Sequence, residues 1–102
     1  MLLQLRQLLR QHLANMKTAR INSDVDTKGN RLDSNGKIPS VFINNQPIAL
    51  LNSSNSKGSK ILSGSPDVYA QNEKVARVND AFASGTKINT GSDNVLTNLP
   101  NP

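Results

Sequence analysis

Cysteine and tryptophan are absent from the 102 residues, and His12 is the single histidine. No disulfide, no Cys-ligated zinc and no thiol nucleophile can therefore be built, and one imidazole does not make a metal site. Phe42, Tyr69 and Phe82 are the only aromatics, and hydrophobic residues make up 35% of the chain, against roughly 45–50% in ordinary globular domains. That composition excludes a large core, so the chain leans on a staple or on a partner's surface. Residues 1–20 contain no acid and hold Arg6, Arg10, Lys17 and Arg20, leaving only +1 of the net charge of +5 for everything after them. A nearly neutral remainder with so few aromatics lacks the basic stripe and stacking platform of a nucleic-acid binder. Nor is there an uninterrupted apolar run of about 20 residues, as a membrane-spanning helix needs, or the apolar centre of a secretory signal.

What the chain does have is a repeat. Shifted forward by 27 residues, Gly58 meets Gly85, Lys60 meets Lys87, Ile61 meets Ile88, Gly64-Ser65 meets Gly91-Ser92, and Val68 meets Val95. Over Lys57 to Asn72 this gives six identities in sixteen positions, where unrelated sequence gives about one. Shifted backward by the same interval, Pro66, Val68, Asn72, Ala76 and Asn79 meet Pro39, Val41, Asn45, Ala49 and Asn52, while Tyr69 meets Phe42 and Val75 meets Ile48. Three copies are thus centred on Val41, Val68 and Val95, the third stopping short after Leu99. Self-similarity at a fixed interval marks a unit that cannot bury its apolar face alone. Three such units suggest a pseudo-threefold axis, which fits the end of a true threefold partner.

Each copy reads as a small β-hairpin. In the second, Gly64-Ser65-Pro66-Asp67 opens a turn, Val68-Tyr69-Ala70 is a strand, Gln71-Asn72-Glu73 reverses the chain with Asn72 at positive φ, and Val75, Ala76 and Val78 return. In the first, Val41-Phe42-Ile43 is the strand, Asn44-Asn45-Gln46 the reversal and Pro47–Leu51 the return. Residues 52–59 read as a polar connector, and 79–85 as the link to the third copy. Ahead of the repeats, residues 20–37 are turn-rich. Asp24, Asp26 and Asp33 with Asn30 suggest a calcium loop, but the closing Glu of an EF-hand is missing, so ordinary loop is expected.

Residues 1–18 read as an amphipathic helix, with Leu2, Leu5, Leu9 and Met16 on one stripe widened by Leu3, Leu8 and Leu13. A basic, acid-free, Leu-rich helix can pack on its own domain or a partner, lie on a membrane surface, or form a weakly ordered extension. The expected organisation is therefore an N-terminal helix over 1–18 and a repeat domain over 19–102. No catalytic set emerges: His12 lies in the helix, Ser65 and Ser92 sit in turns without a histidine partner, and no carboxylate pair stands out.

The run Gly64, Ser65, Val68, Tyr69, Asn72, Ala76, Arg77, Val78 and Asp80 resembles the PAAR-repeat family. Pro39 to Ala49 in the first copy and Gly91, Ser92, Asn94 and Val95 in the third are similar to it too, and Arg20-Ile21-Asn22-Ser23-Asp24 resembles the family's opening element. The resemblance covers about residues 19–99. It implies a mainly β, conical domain of three hairpin repeats that caps the trimeric β-helical spike of a contractile injection machine, in a tailed-phage baseplate or a type VI secretion apparatus. One copy would sit on each spike trimer, point at the target cell envelope and act mechanically, without nucleic acid and without catalysis. With no toxin domain after the third copy, no effector is expected. Val41, Ile43, Val68, Val95 and Leu96 are then the candidates to face the spike, or equally to fill the domain's own small core. Gly64, Ser65, Asn72, Gly91, Ser92 and Asn45 would shape the repeat turns. Family members bind a metal near the apex through histidines and a cysteine. Here the corresponding loops hold Lys28-Gly29, Lys57-Gly58 and Ser84-Gly85, and ammonium and hydroxyl groups are poor ligands for zinc or iron. The expectation is a tip without metal or other cofactor, its apex held by backbone bonds and polar side chains. The alternative from another class is a membrane- or partner-binding module run by the N-terminal helix.

Overall fold

Turn residues recur too often for long strands to form. The computed structural model describes residues 16–36 and 38–97. Among these it is mainly β, without helix, in short strands of two residues. They are β1 (Leu32–Asp33), β2 (Phe42–Ile43), β3 (Gln46–Pro47), β4 (Ser54–Asn55), β5 (Tyr69–Ala70) and β6 (Glu73–Lys74). β2 pairs with β3, β5 with β6 and β1 with β4, all antiparallel. The first two pairs are the expected hairpins. Their turns are Asn44-Asn45 (φ 52° and 65°) and Gln71-Asn72 (φ 52° and 66°). Two successive positive φ values match the right-handed twist of the flanking strands.

A third hairpin exists, built from two segments far apart in sequence. Lys17 pairs antiparallel with Leu96, and the Thr97 amide donates to the Met16 carbonyl at 2.8 Å. The Thr18 amide donates to Val95 at 3.1 Å, as the Ile48 amide does to Val41 (2.9 Å) and the Val75 amide to Val68 (3.1 Å). The helix expected over 1–18 lies outside the described residues as far as Asn15. Its last members, Lys17 and Thr18, are extended and paired with the repeats.

The return arms of the three hairpins meet at three alanines. The Ala19 amide donates to Ala76, the Ala76 amide to Ala49 and the Ala49 amide to Ala19, at 3.0, 3.0 and 2.9 Å. This closed ring of backbone bonds makes the three copies equivalent around one axis. All three alanines have no solvent exposure, as expected where three bonded backbones converge. Each arm then bends at an asparagine in the left-handed region, Asn22 (φ 69°), Asn52 (78°) or Asn79 (77°), a conformation asparagine tolerates better than most residues.

Beyond the bend each copy runs to a glycine turn and comes back. Gly29, Gly58 and Gly85 donate to the carbonyls of Asp26, Asn55 and Phe82 at 3.0, 2.9 and 3.0 Å. The stretch expected as a polar connector, 52–59, is instead half interior: Ser53, Ser54 and Asn55 are buried, and β4 lies within it. Phe82, in the expected link, is also buried. The main core holds the alanine ring with Ile21, Leu32, Ile61, Phe82 and Ile88. A smaller cluster of Ile43, Ile48, Leu50 and Val75 fills the space between hairpins one and two. Hairpins and glycine turns thus lie on opposite sides of the alanine ring.

Candidate functional site

On the hairpin side, the three valines that anchor the repeat present nearly the same surface. Val41, Val68 and Val95 are 38%, 39% and 37% exposed. Equal exposure follows from equal backbone pairing, since each carbonyl accepts the same cross-strand bond. Phe42 and Tyr69, the next residues in copies one and two, are more than half exposed, while their counterpart Leu96 is half-buried. Ile43 does not join this surface, because its side chain is buried in the smaller apolar cluster.

The Gly-Ser pairs fix the outgoing arm of each hairpin. A Cβ on Gly64 would stand 2.9 Å from the Lys74 Cβ and 3.1 Å from the Val75 carbonyl, and one on Gly91 would stand 2.8 Å from the Lys17 Cβ. Glycine is thus required by close backbone approach. Ser65 and Ser92, both without exposure, accept the amides of Val68 (2.9 Å) and Val95 (3.0 Å) on their hydroxyls. The hairpin turns reach across to neighbouring copies. The Ser92 hydroxyl donates to Asn44 Oδ1 at 2.7 Å, Asn44 Nδ2 donates to Asn94 Oδ1 at 3.0 Å, and the Ser40 amide donates to Gln71 Oε1 at 3.0 Å.

On the far side, the three glycine turns are clamped by one carboxylate. Asp26 Oδ1 accepts the amides of Lys28 (2.9 Å) and Asn30 (2.8 Å) from its own turn. Its Oδ2 accepts Asn30 Nδ2 (3.1 Å), Asn55 Nδ2 from the second turn (3.0 Å) and the Thr86 hydroxyl from the third (3.1 Å). Burial pushes the Asp26 carboxyl up. The donors from Asn30, Lys28 and Thr86 outweigh it and hold the group below the usual aspartate range. Five donors occupy the lone pairs of this carboxylate, and Phe82 takes the third equivalent position with an apolar ring. These residues do not fit the metal that the resemblance implies, and among the described residues no three potential His, Cys, Asp or Glu ligands gather. Lys28, Lys57 and Ser84 stand exposed on the turns.

Two further carboxylates brace the bends. Asp24 accepts the Arg20 amide (2.7 Å) and guanidinium (2.9 Å) and the Thr90 hydroxyl (2.9 Å). The Asp24 bond, together with its charge, raises the Arg20 pKa against the effect of burial. At the second bend, Asp80 accepts the Arg77 amide (2.7 Å) and the Ser63 hydroxyl (3.0 Å). Asp24 and Asp26, which the sequence presents as loop residues, are both nearly inaccessible. Asp26, Asn55 and Phe82 each stand three residues before a turn glycine, but three different side chains at that position make no repeated signal. No protein-family model matches the chain, and no curated protein is significantly similar to it.

Proposed function

We propose that this chain is a structural tip protein, a PAAR-like conical cap on the trimeric β-helical spike of a contractile injection machine, either a phage baseplate or a type VI-like apparatus. One observation carries the proposal: Val41, Val68 and Val95 repeat with matching exposure around a closed ring of backbone bonds. A single chain that imitates a threefold axis is matched to a true trimer, one copy per trimer, because a surface repeated three times can satisfy all three subunits at once. The valines, with Phe42, Tyr69 and Leu96 beside them, supply apolar area to cover the last rungs of such a spike. The rings of hydrogen bonds distribute a load applied at one turn over all three copies, which suits a part that works by force rather than by chemistry. Its place would be the virion tail or the tip of a secretion apparatus, in contact with the target envelope.

The test is stoichiometry. Mixed with a trimeric β-helical spike protein, the full chain is expected to form a complex of one copy per trimer in native mass spectrometry. The Val41→Asp/Val68→Asp double variant should lose the complex while keeping its fold, since both positions are partly exposed already. A folded protein that binds no such spike, or that binds three to a trimer, overturns the proposal.

A further inference from the structure

The glycine-turn end carries a charge pattern that the whole-chain balance hides. In each copy the second residue after the turn glycine is basic: Arg31, Lys60 and Lys87 follow Gly29, Gly58 and Gly85. All three side chains are exposed. Their backbones form a second closed ring. The Ser56 amide donates to the Arg31 carbonyl (2.8 Å), the Ala83 amide to Lys60 (2.8 Å) and the Thr27 amide to Lys87 (2.9 Å). Each basic residue is therefore held at the seam between its own turn and the next, at equivalent places around the axis. Lys28 and Lys57, also exposed, stand on the turns themselves. The one acid in these turns is Asp26, buried and saturated by donors. The three ion pairs among the described residues use Lys17, Arg20 and Arg77, none of the five. The other acids, Asp24, Asp33, Asp67, Glu73, Asp80 and Asp93, all lie outside the turns.

We infer that this collar of Arg31, Lys60 and Lys87, with Lys28 and Lys57, is a docking surface for the phosphate headgroups of an anionic lipid bilayer. Its geometry selects that partner over nucleic acid. The three bases sit at equivalent backbone positions on three separate turns, and not as a run along one element that a strand could track. The turns also offer no ring for base stacking: Phe82 is buried, and Phe42 and Tyr69 belong to the hairpins on the other side of the alanine ring. The inference goes beyond spike docking, since vesicles contain no spike and its failure would leave that proposal standing.

Flotation of the full chain with vesicles of phosphatidylglycerol and phosphatidylcholine tests it, with pure phosphatidylcholine vesicles and duplex DNA at the same ionic strength as comparisons. The expected result is salt-sensitive binding to the anionic vesicles alone. A headgroup-near cation contributes roughly a factor of five, so Arg31→Gln/Lys60→Gln/Lys87→Gln should weaken binding about a hundredfold. Arg6→Gln/Arg10→Gln should leave it unchanged. If the triple variant melts early, Lys87→Glu alone decides, with a clear loss supporting the collar and wild-type binding overturning it. The inference also fails if the anionic vesicles are not bound, if the triple variant binds like wild type, if Arg6→Gln/Arg10→Gln abolishes binding, or if DNA is bound more tightly than vesicles.

Discussion

Asn55 Nδ2 donates to Asp26 Oδ2 at 3.0 Å from a different copy of the repeat, with both residues almost wholly buried. Thr86 adds the third copy to the same oxygen. Truncation by Asp26→Ala strands the Asn55 amide and the Thr86 hydroxyl away from water and frees two turn amides. Unsatisfied buried groups of this kind cost about 1–3 kcal/mol each, so a total loss on the order of 3 kcal/mol is expected in urea unfolding. A loss under about 0.5 kcal/mol, the range of ordinary surface substitutions, would show that the turns hold together without the clamp.

The same carboxylate makes the fold sensitive to acid. Its pKa in the folded protein lies below the usual aspartate range, because the donors that converge on it outweigh burial. A group whose folded value is below its unfolded value contributes in full above the unfolded value, about 3.9, and loses that contribution as pH falls through the folded one. Thermal melts should therefore show Tm dropping as pH falls from about 5 towards 2. Asp26→Asn, destabilised already at neutral pH, should show a shallower drop over that window. Parallel Tm curves for the two proteins would remove Asp26 from the acid response.

Ala49 tests the ring at the axis. Its amide and carbonyl both serve neighbouring copies, and its methyl group has no exposed surface. Ala49→Val adds two methyl groups where three backbones converge. Overpacking costs about 1–3 kcal/mol, and here the strain must spread to all three copies, so the upper part of that range is expected in urea unfolding. Val78→Ala, at a partly buried residue packed against the same core, should cost less, and the reverse order would place the tight point elsewhere.

The hairpins and their interval were legible because Val41, Val68 and Val95 are 27 residues apart in a row and asparagine at a reversal marks positive φ. The other half of the symmetry was not, for a reason of spacing. Ala49 and Ala76 keep the interval of 27, but Ala19 and Ala49 are 30 apart, because the first copy has a longer bend and a longer return from its glycine turn. That displacement hid Met16–Arg20 as the missing return arm of the third hairpin, and the leucine stripe ahead of it runs on through Met16 without a break. The Asp26 clamp was illegible in a different way. Its partners Asn55 and Thr86 come from separate copies, and three different side chains, Asp, Asn and Phe, occupy the equivalent turn position. No repeated motif announces a network in which each copy plays a different part.

Gly91 guards the seam where that third hairpin closes. An added Cβ would stand 2.8 Å from the Lys17 Cβ and 3.0 Å from the carbonyls of Lys17 and Thr18, so Gly91→Ala must push the 16–18 arm outward. The bonds next in line are Ser92 N–H to Thr18 (2.8 Å) and Thr18 N–H to Val95 (3.1 Å). Gly58→Ala makes a contrast: its Cβ would enter open space, and only the φ of +83° opposes it, a strain of about 1 kcal/mol for a left-handed residue. Gly91→Ala should cost about 2 kcal/mol or more and, unlike Gly58→Ala, should speed hydrogen exchange at the Thr18 and Ser92 amides. If Gly58→Ala is the more damaging, or if exchange at Thr18 is unmoved by Gly91→Ala, the two arms are not held together by this contact.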